Sequence, residues 1–126
     1  MSRERVQEHL PLTPLSFEIL LSLADGARHG YGIIKESEER SGEPFHSSTG
    51  TLYLAIRRLL ADGLVSVAAS VADGGSRGAR GRAYQLTTLG RDVAAAEAER
   101  LAARVHDAQR KALIGDSEAQ PQRSSG

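Results

Sequence analysis

The sequence predicts a mainly α-helical chain carrying one small β-hairpin, and three observations in residues 45–91 support it. Residues 47–60 read as a short amphipathic helix with a small, hydroxylated nose. Gly63 stops that helix, and Val65, Val67, Ala69 and Val71 then alternate as a half-buried strand does. The arginine-bearing stretch ADGGSRGARG (72–81) leads into a return strand and a fresh helix start at Thr87-Thr88. A helix, a hairpin with a basic tip and a long closing helix stand in the order of a winged helix-turn-helix.

The elements before and after this stretch follow from local signals. Residues 1–11 read as an N-terminal arm or short helix. Thr13-Pro14 is a helix entry, a hydroxyl cap followed by a proline whose missing N–H costs nothing at the first position. Leu15, Ile19, Leu20 and Leu23 recur at helical spacing up to Gly26. A second helix is expected from Gly30 to about Arg40, burying Tyr31, Ile33 and Ile34, with Gly42 and Pro44 ending it. In the third helix Leu52, Ile56, Leu59 and Leu60 share one face, with Tyr53 at its edge, and Ser47 or Ser48 supplies the cap. Arg82 to Thr87 form the return strand, placing Tyr84 and Leu86 on one face. The last helix, capped by Thr87 or Thr88, is expected to reach about Leu113. Ala94, Ala98, Leu101, Val105, Ala108 and Ala112 fall along it as a heptad seam for a second copy. Residues 116–126 lack apolar periodicity.

Net charge is zero, but its distribution is uneven. Residues 1–43 hold five basic and eight acidic groups, residues 44–91 six arginines against two acids, and residues 92–126 five against six. The surplus of positive charge coincides with the third helix and the hairpin. The first turn of that helix has no Asp or Glu, although acids ordinarily favour a helix N-terminus. Such a nose suits an approaching phosphate, whose charge takes the place of the acid. Ser47, Ser48, Thr49, Gly50 and Thr51 lie at the nose, and Leu54, Arg57 and Arg58 follow on the same side. Arg77, Arg80 and Arg82 occupy the hairpin with no acid between them, as phosphate-tracking or minor-groove arginines would. Tyr31 and Tyr53 are read first as core-edge tyrosines. Each also begins a helix that would face DNA, within reach of a phosphate.

Other chemistries find little footing. The loop GGSRGARG lacks the Gly-Lys-Ser/Thr ending of a phosphate cradle and opens a strand, not a helix. His9, His29, His46 and His106 are scattered, and with no cysteine the sequence predicts neither a metal site nor a disulfide. No G-x-S-x-G occurs, and no enzyme activity or cofactor is expected. The sequence has no stretch of 18 apolar residues and no apolar leader at its N-terminus, so a cytoplasmic, non-membrane protein is expected.

LTPLSFEILLSL (12–23), HGYGI (29–33), GTLYLAIRRLLADGLV (50–65) and RAYQLTTLGR (82–91) stand in an order and spacing that resemble the PadR family of bacterial transcriptional regulators. The likeness covers roughly residues 12–113, and Gly50-Thr51-Leu52-Tyr53 followed by Asp62-Gly63-Leu64 is its sharpest part. Ala83 stands where relatives often carry a bulkier residue, and Thr88 where proline is common. The resemblance implies a dimeric winged-helix repressor, often released by a small ligand or stress signal. Aromatic residues are only 4% of the chain, so a large stacking pocket for an effector is not expected.

The expected organisation is an arm at 1–11, a winged helix-turn-helix DNA-binding domain at 12–88, a dimerisation helix at 89–114 and a disordered tail at 115–126. The expected function is repression by a homodimer bound to an inverted repeat in double-stranded DNA. The alternative is a winged-helix module that docks a protein partner without touching DNA. RNA binding through the Arg-Gly loop lacks an aromatic platform.

Overall fold

The computed structural model describes residues 3–68 and 81–115. A short α1 (Arg3–Gln7) buries Val6 and lies against the C-terminal helix. Helix α2 (Pro14–Ser22) starts as its sequence dictates: the Thr13 hydroxyl accepts the Ser16 N–H at 3.0 Å, and Pro14 takes the first turn. A two-residue strand β1 (Arg28–His29) runs straight into α3 (Gly30–Ser41), which closes on Gly42 in the left-handed region. The Glu38 carboxylate then accepts the Phe45 N–H at 2.9 Å, fixing the turn that leads to α4 (Thr49–Ala61).

The end of α4 is a Schellman motif. Gly63, at φ 78°, donates to the Leu60 carbonyl, and Leu64 donates back to Leu59 at 3.0 Å. Strands β2 (Val65–Val67) and β3 (Ala83–Leu86) pair antiparallel, and β3 also pairs with β1, giving a three-stranded sheet of order β1-β3-β2. Helix α5 (Thr88–Arg110) begins where the Thr87 hydroxyl accepts the Gly90 N–H and donates to the Gly63 carbonyl at 2.6 Å. One side chain thereby ties the start of the last helix to the end of α4.

The core is where these elements meet. Ile19 and Leu20 from α2, Leu23 just after it, Ile33 from α3, and Leu52, Ile56 and Leu59 from α4 pack with Leu64, Tyr84, Leu89 and Val93. Each fully buried aliphatic side chain contributes about 1.5–3 kcal/mol relative to exposure. Glu97 is the one buried acid among the described core residues, at 2% exposure. It accepts the Leu12 N–H at 3.2 Å and two hydrogen bonds from the Arg100 guanidinium at 3.0 and 2.8 Å. Arg100 holds the Glu97 carboxyl below its ordinary range against the opposing effect of burial, and the Leu12 N–H adds to the lowering.

Four expectations change. Tyr31 is not buried: it is 68% exposed, because α3 turns Ile33 inward instead. Val67 is exposed although Val65 is buried, since the sheet outruns the core there. Strand β1 went unpredicted because two residues carry no periodicity; only their pairing with β3 makes them a strand. Helix α5 stops at Arg110, so Ala112 lies outside it, at φ 63°, in a second Schellman closure from Leu113 to Ala108. Ala94 packs on the core of its own chain. Of the residues expected to form the seam, Ala98, Leu101, Val105 and Ala108 lie on α5 outside this core.

Candidate nucleic-acid interface

Helix α4 is sealed on one side and bare on the other. Leu52, Ile56 and Leu59 are buried, while Ser48, Thr49, Gly50, Thr51, Leu54, Arg57 and Arg58 are exposed and Ser47 is half-buried. Ser48 is the cap: its Oγ accepts the Thr51 N–H at 3.1 Å and lies 3.0 Å from the Thr51 hydroxyl. The first turn carries no acid, so nothing in it competes with an incoming anion for the positive end of the helix.

Tyr53 is half-buried and holds the start of α3 against α4. Its ring and hydroxyl occupy the space a side chain at position 30 would need, so a larger residue there would have to displace Tyr53. Tyr31, Ile34, Thr49 and Tyr53 line a small cleft between the two helix noses. Lys35, one turn beyond Tyr31, sits 5.9 Å from the centroid of its ring. The sequence reading passed over Lys35; its i,i+4 spacing from a helix-nose tyrosine was the available signal.

The sheet brings a third piece to the same end. His29, the residue before the nose of α3, pairs with Ala83, and exposed Arg82 stands next to Ala83 in the chain. Burial pushes the Tyr84 phenol up, and its neighbours Tyr53 and Arg82 act on it in opposite directions, the first raising and the second lowering. The base of the hairpin, the start of α3 and the first half of α4 are thus adjacent. Arg77 and Arg80 lie outside the described residues.

Several other arginines are committed to structure. Arg28 binds the Ser22 carbonyl and Asp25, Arg40 bridges Glu18 and Glu36, Arg91 holds the Ala24 carbonyl, and Arg100 and Arg104 pair along α5. Arg57, Arg58 and Arg82 have no ion-pair partner among the described residues.

The Transcriptional regulator PadR-like family model matches residues 19–96, which takes in α2 through the first part of α5. The chain belongs to the PadR-like family. Its fold agrees with that membership. It resembles a PadR family transcription regulator from Clostridium difficile at a TM-score of 0.63 and 24% identity, over 81% of this chain and 100% of that one. It resembles RosR of H. salinarum at 0.58 and 26%, over 84% and 99%. Bacillus subtilis PadR, solved in complex with operator DNA, is similar at 0.53 and 22%, over 72% of this chain and 47% of that one. No curated protein matches. This PadR-like chain is therefore a transcriptional regulator of a DNA-binding family, mainly helical with a small antiparallel sheet and a C-terminal helix. Among the described residues no helix is long and apolar enough to cross a membrane, and no three His, Asp or Glu converge.

Proposed function

We propose that this chain is a homodimeric repressor that binds an inverted repeat through α4 and the hairpin. The observation that carries this reading is the exposed side of α4: an acid-free nose followed by two arginines without ion-pair partners. In the proposed complex the nose enters the major groove, with Ser47, Ser48, Thr49, Gly50 and Thr51 closest to bases and phosphates. Arg57 and Arg58 hold the backbone on either side. Tyr31 and Tyr53 offer hydroxyls to phosphate from the adjoining cleft. Arg82, with Arg77 and Arg80, anchors the neighbouring phosphates or minor groove. Operator DNA bound to the similar B. subtilis PadR supports the choice of ligand.

Pairing of two chains is proposed through the outer half of α5. Leu101 and Val105 are 37% and 46% exposed there, flanked by alanines that let a second helix approach. Two-fold symmetry then spaces the half-sites by about one helical turn, roughly 34 Å. Retardation of the DNA upstream of the chain's own gene, followed across salt concentrations, tests the reading. Replacing Arg80 and Arg82 together by alanine is expected to weaken binding to every sequence and to flatten the salt slope by roughly one unit per lost phosphate contact. An unchanged slope would remove the hairpin from the interface.

A further inference from the structure

The most outward position of α4 is not polar. At 3.6 residues per turn, Leu54 points about 190° away from the mean direction of Leu52, Ile56 and Leu59. It is 57% exposed, the larger part of an aliphatic side chain left in water. Gly50 stands one turn before it, and Arg57 and Arg58 flank it one turn after, all exposed. A lone exposed leucine is ordinary on a protein surface. This one crowns a helix whose remaining outward residues are small, hydroxylated or cationic, and that setting limits its partner. Arginines on both flanks suit a site walled by phosphates, and they disfavour a purely apolar protein surface, where both charges would lose water. In a major groove the one apolar group on a base edge is the thymine methyl.

We propose that Leu54 reads thymine, packing its side chain on the 5-methyl group of one thymine in each half-site. The inference rests on the DNA-binding reading above and adds a base preference to it. Bare Gly50 lets the helix come close enough for the contact, and the two arginines set its depth by holding the groove walls.

The test uses the full chain and a duplex selected by it from a random pool. Each thymine is replaced singly by deoxyuridine, which removes only the methyl group. At one position per half-site the wild-type chain is expected to lose roughly threefold to fivefold in affinity. Leu54→Ala is expected to bind the two duplexes alike there, with its thermal unfolding unchanged because the side chain lies outside the core. A wild-type chain indifferent to every replacement, yet still binding DNA with a steep salt dependence, overturns the thymine contact and leaves the operator reading standing. Equal sensitivity in wild type and Leu54→Ala assigns the methyl to another residue and also overturns it. Selection of no duplex at all defeats both readings.

Discussion

Gly50 is the second residue of α4, and the space where its Cβ would stand holds only the Ser48 hydroxyl at 3.9 Å, an ordinary contact. Neither backbone geometry nor internal packing asks for glycine, and glycine is a poor helix former. Gly50→Ala is therefore expected to raise the stability of the free chain by about 0.5 kcal/mol while weakening operator binding, as measured by denaturant unfolding and retardation. A fall in stability would mean that the glycine serves the fold. Glu97 presents the opposite case, a charged group that the fold requires. Its carboxyl titrates below the ordinary 4.5 because Arg100 and the Leu12 N–H favour the anion. A depressed folded-state value means that this stabilisation is present above the unfolded value and is lost as pH falls through the folded one. Glu36, held low by Arg40, adds in the same direction. Glu97→Gln is expected to unfold more readily at neutral pH and to show a shallower loss of stability on acidification below about pH 4.5. Thermal melts at a series of pH values give both quantities.

Among the elements, the junction of α4, β2 and α5 is the tightest. A Cβ on Gly90 would run into the Leu64 carbonyl, so the backbone of α5 approaches the root of the sheet as only glycine allows. Gly90→Ala is expected to cost about 3 kcal/mol, seen as a lowered denaturation midpoint with little change in slope. An undiminished midpoint would show that the helix can slide outward at no cost. How far the elements were legible in sequence depends on how local their causes are. The caps of α2, α4 and α5 follow from Thr13, Ser48 and Thr87, and the stops at Gly42 and Gly63 from glycine; these were readable residue by residue. β1 was not, because its strand character comes from β3, more than fifty residues away. Tyr31 was misplaced because its neighbours Ile33 and Ile34 suggested an inward face, whereas the helix nose turns its first residues toward α4 and solvent. The bare side of α4 was legible as a pattern of residue types. The meeting of Tyr31 with Tyr53, and of both Tyr53 and Arg82 with Tyr84, was not, since it depends on how α3, α4 and the sheet pack.

At the scale of the whole molecule, two exposed surfaces lie on different elements, one on α4 with the hairpin base and one on the outer part of α5. Arg57, Arg58 and Arg82 stand on the first, and Leu101 and Val105 on the second. Leu101→Asp is expected to give a monomer by sedimentation that binds a single half-site weakly. A dimer that persists would move the pairing surface off this helix. Restricting the expected seam to the four residues on α5 outside the core makes that test sharper, because Ala94 already belongs to the core and Ala112 has left the helix.

The close approach of Gly90 to Leu64 has a mechanical consequence. With Thr87 bonded to Gly63 beside it and Val93 and Glu97 buried, the near half of α5 is clamped to the core, and the turns from Ala98 to Arg110 extend from it as an arm about 20 Å long. A bend of about 10° there displaces the far tip by about 3.4 Å, close to the rise of one base pair. If two copies pair through the distal arm as proposed, whatever leans on it is thereby geared to the separation of their α4 helices.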